Sequence, residues 1–256
     1  MSEWLVLALA MTASCAVVLS VALLRQRRLG DAEEDTSQTP DVIEYITMMI
    51  GVVYAIVLGL AIAGVWEERN AAEDLVVREA QALHEVSARA EVYPAQVRED
   101  IRGDVDRYVE HVVDTEWSRM VEDGELTARG DELITAVRSH VSGFEPRTTL
   151  QSHAYQGMVD QITAAEQARI GRGQSVEPTL PAVVWFGLVV GAVVTVGMVF
   201  ALQIRRSARE LVLAGLFSAL IAFLLFLIWV FDEPYARGLA DPAEAFHTLF
   251  PDVTGG

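Results

Sequence analysis

The stretch Val42–Val65, VIEYITMMIGVVYAIVLGLAIAGV, decides the fold. Its 24 residues contain one charge, Glu44. A helix needs about 20 apolar residues to cross a hydrocarbon layer of ~30 Å, so this segment spans a membrane. No glycine or proline interrupts the chain from Trp66 to Val92. The same helix is therefore predicted to continue to Val92, about 75 Å in all at 1.5 Å per residue.

Three further stretches, Trp4–Leu24, Ala182–Ile204 and Leu211–Phe231, have 21, 23 and 21 residues and no charge after Glu3. The expected fold is all-α: an integral membrane protein with four transmembrane helices and a helical extracytoplasmic domain between the second and third. In chain order, helix one occupies 1–24, a loop 25–41, helix two 42–65 and the domain 66–181. Helix three (182–204), a loop (205–210), helix four (211–231) and a tail (232–256) follow. The N-terminal stretch reads as a retained helix, because Met1-Ser2-Glu3 lacks the positive charge of a signal peptide.

Charge excludes several classes. All 19 basic residues are Arg, against 36 Asp and Glu, a net charge of −17 among 256 residues. Such a chain repels nucleic acid. Its single cysteine, Cys15, allows no internal disulfide. Arg25, Arg27 and Arg28 follow the first helix, and Arg205, Arg206 and Arg209 follow the third. The positive-inside rule places both clusters in the cytoplasm. The expected location is a bacterial inner membrane, with both termini and the domain outside. Trp4, Trp66, Trp185 and Trp229 mark the other end of each helix, where tryptophan favours the interface.

Within the domain, apolar residues recur at helical spacing. Ala72, Val76, Leu83, Val86 and Ala90 precede Pro94; Val97, Ile101, Val105, Tyr108, Val112 and Met120 precede Asp123-Gly124. Leu133, Ile134, Val137 and Val141 mark a third helix, and Leu150, Met158, Ile162 and Ala165 a fourth. No strand is expected. Gly171-Arg172-Gly173 through Pro181 reads as a linker back to the membrane.

Catalytic signatures are absent: no P-loop, HExxH, GxSxG or dinucleotide fingerprint occurs. His84, His111, His140 and His153 lie on separate predicted helices, and Glu244 with His247 is a solitary E-x-x-H. An enzyme, a metal site and a cofactor are therefore not expected. Small residues in the membrane helices say more. Gly51, Ala55, Gly59 and Ala63 form one i+4 row, and Gly187, Gly191 and Thr195 another, as do Ala214, Ser218 and Ala222. Such rows let helix backbones approach closely, within a subunit or between subunits. The second helix is the best pore candidate, with Glu44, Thr47, Gly51 and Tyr54 along one side. The domain beyond it carries 12 Arg against 23 acidic residues, a vestibule suited to concentrating cations.

The run Gly51-Val52-Val53-Tyr54, then Gly59, Val65-Trp66-Glu67 and Arg78-Glu79-Ala80, resembles a bacterial bestrophin-like family. The likeness continues through Tyr93-Pro94, Arg98, Tyr108, Glu116-Trp117 and Met120. It ends with Arg169, Arg172, Leu180-Pro181, Trp185, Asp232-Glu233-Pro234-Tyr235 and Gly238, spanning roughly residues 43–246. Bestrophins are pentameric ion channels whose second membrane helix lines the pore. The resemblance thus implies a homo-oligomer, a pentamer foremost, that sits among membrane lipid and passes inorganic ions. No acidic cluster matches the bestrophin calcium clasp, so calcium gating is not carried over. Glu79, Glu116, Trp117, Arg169 and Arg172 match the family pattern without an assigned role. Glu79 falls on the apolar stripe of its helix, and Arg169 or Arg172 would offset its desolvation. The leading expectation is a cation-preferring channel. Its rival is an extracytoplasmic sensor or envelope scaffold acting through a separate membrane partner.

Overall fold

A computed structural model of the chain describes residues 41–202, 208–237 and 243–255. Among these the structure is helical throughout, with no strand. The stretch Trp4–Leu24 and the Arg clusters at 25–28 and 205–206 lie outside the described residues. Three described helices are long and apolar enough to cross a membrane.

The longest, α1 (Asp41–Arg89), has 49 residues, and a 3-10 turn (Ala90–Val92) closes it before Pro94. The expected continuity to Val92 is thus present. α2 (Ala95–His111), a π-helical turn (Val112–Glu116) and α3 (Trp117–Asp123) follow without a break. Gly124 ends that run at φ 75°, the left-handed conformation that favours glycine. Thr127 caps α4 (Ala128–Ser142) by accepting the Gly130 amide, and Thr148 caps α5 (Thr149–Gln174) by accepting that of Gln151. α6 (Ala182–Leu202) and α7 (Ala208–Phe231) are the remaining membrane-length helices. Two short helices, α8 (Glu244–Leu249) and α9 (Pro251–Thr254), complete the chain.

The chain divides into two compact units. The first contains the described residues up to Trp66 together with Leu180–Asp232. Its interior is formed by Tyr54, Leu58 and Val65 of α1, Leu188 and Ala192 of α6, and Ile221 and Ile228 of α7. The Tyr54 hydroxyl donates to the Leu188 carbonyl at 2.8 Å. Its ring lies against Gly191, where a Cβ would meet the ring Cδ2 at 2.7 Å. Asp232, 3% exposed, joins the ends of α6 and α7: its carboxylate accepts the Leu180 amide at 2.7 Å and the Trp185 indole at 2.9 Å.

The second unit, Glu67–Thr179 and Glu233–Gly256, is a helical domain. Every apolar residue expected on its first three helices is buried or packed on the core. Leu150 is the exception on the fourth, 65% exposed in the first turn of α5. Two expectations are corrected. Gly171-Arg172-Gly173 is not a linker; it lies within α5. The glycines serve packing there, since a Cβ at 171 would meet Leu75 at 2.9 Å and one at 173 would meet Leu126 at 2.8 Å. Nor is 232–256 simply a tail. Tyr235, Phe246 and Phe250 are buried in the domain core, and the Tyr235 hydroxyl donates to the Ala72 carbonyl at 2.9 Å.

Candidate functional site

Two places draw together residues singled out by sequence: the interior of the helical domain and the faces of α1. In the domain, four charged side chains occupy positions where an apolar residue would continue a buried stripe. Glu79 follows Ala72 and Val76 on α1. Arg169 and Arg172 extend Met158, Ile162 and Ala165 on α5. Glu116 sits between Val112 and Met120, turned inward by the wider π turn.

Arg172, fully buried, donates from Nε to Glu79 Oε2 at 2.8 Å and from Nη2 to Glu79 Oε1 at 3.1 Å. The same Nη2 reaches Glu116 Oε1 at 2.8 Å, and Nη1 meets the Met120 sulfur at 3.3 Å. The guanidinium lies 5.4 Å from the centre of the Trp117 ring, within cation–π range. Tyr108 donates to Glu79 Oε1 at 2.6 Å. Arg169 donates to both oxygens of Glu116, at 3.2 and 2.7 Å, to the Thr127 carbonyl at 2.9 Å, and to Asp131. Two carboxylates thus face two guanidiniums in the core, and the exposed Asp131 lies at one end.

Hydrogen-bond bookkeeping assigns the remaining protons. The Thr127 hydroxyl donates to Glu116 Oε2 at 2.7 Å and accepts the Gly130 amide at 3.1 Å. Its single hydrogen is then used, so His111 Nε2, 2.7 Å away, must be the donor in that contact. Burial alone would raise the Glu116 carboxyl. The Arg169 hydrogen bonds, the Arg172 charge and the Thr127 donor outweigh it and hold the group at about 2. Burial, then the Glu79 charge, pushes the Tyr108 phenol well up, so it stays a donor. Burial opposes the charge on Arg172, and the Glu79 and Glu116 carboxylates more than restore it.

A pH dependence follows. Glu116 titrates near 4.5 when unperturbed and at about 2 when folded. Its stabilisation is complete above the higher value and is lost as pH falls toward the lower, about 3 kcal/mol in all. Melting followed by circular dichroism between about pH 6 and pH 3 should show a steep fall in the wild type and a shallower one in Glu116→Gln. Equal slopes would contradict this reading.

Glu79, Glu116, Trp117, Arg169 and Arg172 are therefore brought together from three separate stretches of the chain, with Arg172 the partner of Glu79. The set contains no exposed nucleophile or free base; chemically it is a clamp tying α1 through α5. Sequence reasoning missed Tyr108, Thr127 and Asp131 as its members. Tyr108 was legible as an apolar-stripe residue and as part of the family pattern, but not as a hydrogen-bond donor; Thr127 offers only the signal of a helix cap. No group of three or more metal-ligating side chains occurs among the described residues.

On α1, the buried positions and an exposed stripe lie on opposite sides. Tyr54, Leu58 and Val65 pack within the first unit, and Ala72, Val76, Leu83, Val86 and Ala90 within the second. Tyr45, Met49, Val52, Ile56 and Leu60 lie on the other side, each between 56% and 69% exposed. The suggested pore side does not coincide with this open stripe. Tyr54 is buried, and Gly51, half-exposed, is about 60° from it around the helix. Thr47 is also half-exposed, and the Glu44 side chain lies outside the described residues. Among the small residues, Gly191 meets a neighbour closely. Gly51, Gly59 and Gly187 have open space where a Cβ would stand, and Ala55 and Ala63 are exposed.

The sequence profile of the bestrophin-like domain family matches residues 12–240. The chain belongs to the bestrophin-like family. Among solved structures, a crystal structure of a point-mutated bacterial bestrophin homologue from Klebsiella pneumoniae superposes with a TM-score of 0.62. Identity is 13%, and the match covers 98% of each chain, so the likeness is one of fold. No curated protein matches the chain. Bestrophin-like membership and three membrane-length helices make this a membrane protein of a channel-type family, not of an enzyme family.

Proposed function

We propose that the chain is the subunit of a homo-oligomeric ion channel, a pentamer foremost, in a bacterial inner membrane. In this reading α1 stands toward the central axis, and the termini and helical domain lie outside. The observation that carries it is the open stripe of α1. A helix already packed on α6 and α7 along one side keeps a second, continuous side exposed over its whole membrane-length segment. In a family of channels, that side is available to face an axis shared with other copies.

The proposal moves the lining away from Gly51 and Tyr54 to Val52, Ile56, Leu60 and Ala63. Tyr54 then has a structural task, holding α1 to α6 through the Leu188 carbonyl. An apolar lining offers ions no ligands, so passage depends on its width and wetting. Cation preference is supported by the acidic domain, which would concentrate cations near the opening.

Purified protein in liposomes should pass monovalent ions, and Ile56→Trp should reduce flux severalfold while leaving the oligomer intact. Absence of flux from a correctly assembled wild-type protein would contradict the proposal.

A further inference from the structure

We infer that Glu67 is the specificity-determining residue of the conduit, the group that makes it favour cations; this rests on the channel reading above. From Tyr45 through Trp66 helix α1 has no charged residue. The open stripe runs Tyr45, Met49, Val52, Ile56, Leu60 and Ala63, at steps of three or four residues. Glu67 is the next step. At 3.6 residues per turn these seven positions fall within about 80° of one another around the helix axis. Glu67 is thus the first charge met on that side where the apolar segment ends.

Its surroundings leave the charge uncompensated. Glu67 is exposed and makes no hydrogen bond or ion pair among the described residues. The nearest Arg on the helix, Arg69, is turned about 160° away from it. Arg69 is 8% exposed and is engaged with Glu73 at 3.0 Å and the Arg237 carbonyl at 3.3 Å. Glu68 is exposed too, but stands about 100° around the helix from Glu67. In a cyclic assembly one Glu67 per subunit becomes a ring of carboxylates, the arrangement by which cation channels raise local cation concentration and repel anions. The acidic residues elsewhere on the domain act diffusely and are screened beyond about 8 Å at physiological salt.

The test is the sodium-to-chloride permeability ratio, from reversal potentials of the full-length protein in planar bilayers under a salt gradient. Glu67→Gln should lower the ratio at least about threefold, Glu67→Asp should retain it, and Glu68→Gln should leave it within experimental scatter. Native mass equal to wild type confirms assembly of each variant. An unchanged ratio in conducting Glu67→Gln, or an equal drop in Glu68→Gln, overturns the assignment while leaving the channel reading standing. An assembled wild-type protein that passes no ions overturns both.

Discussion

Replacing Arg172 with alanine is expected to cost about 3–5 kcal/mol, because it leaves two buried carboxylates without their shared cation. Glu79 loses both guanidinium bonds and retains only Tyr108; Glu116 retains Arg169 and Thr127. A domain is stable by only about 5–15 kcal/mol, so the loss is a large fraction of the total. Melting temperature should fall by about 10 °C or more, with the domain becoming susceptible to protease. The companion double variant, Glu79→Met with Arg172→Met, removes charge and counter-charge together and should recover part of the loss. Ion pairs of this kind are costly to break yet tolerably replaced by apolar residues. An Arg172→Ala protein melting with the wild type would show that the clamp does not hold the domain.

The second large effect concerns Gly130, because geometry and helix propensity predict opposite signs. Gly130 lies inside α4, where alanine is ordinarily better by about 1 kcal/mol. A Cβ there would fall on Glu116 Oε2 and come within 2.5 Å of Arg169 Nη2. These atoms are hydrogen-bonded to each other and to Thr127, so they have no free direction in which to move. Gly130→Ala is expected to destabilise by about 2 kcal/mol or more. Gly103, within α2, has nothing within 4 Å of the same construction. Gly103→Ala should be neutral or stabilising. Both are read by thermal unfolding in the same detergent; destabilisation of equal size in the two variants would remove the packing argument.

Much of this architecture was legible in sequence because it rests on periodicity. The uncharged run Val42–Val65 and the unbroken segment behind it account for α1, and the stripes through Ile101, Leu133 and Met158 account for the domain helices. The ion clamp was half legible. Glu79 interrupts an apolar stripe, which calls for a buried cation. Arg169 and Arg172 continue the Met158–Ile162–Ala165 spacing equally well, but flanking glycines disguise Arg172 as part of a linker. Glycine there is a packing device against Leu75 and Leu126, which only the fold reveals. Glu116, four residues from both Val112 and Met120, interrupts the next stripe in the same way, though the π turn that orients it has no sequence signal.

The faces of α1 are hard to assign from sequence for a geometric reason. Four residues on an α-helix advance about 400°, so an i+4 row drifts by about 40° at each step. Gly51, Ala55, Gly59 and Ala63 therefore wind from near the packed side to the open one, and no single face can be assigned from them. Steps alternating between three and four residues stay on one side, as Tyr54, Leu58, Ala61 and Val65 do. The contribution of Phe246 and Phe250 to the domain core is visible only as an apolar i+4 pair before Pro251.

The central claim is that several copies surround one axis, with the open side of α1 turned toward it. Native mass of the full-length protein in mild detergent, with bound detergent and lipid subtracted, tests this most directly. The account predicts one homogeneous species of a closed cyclic number of subunits, five foremost. A monomer, or a simple dimer that persists across detergents and concentrations, would contradict it.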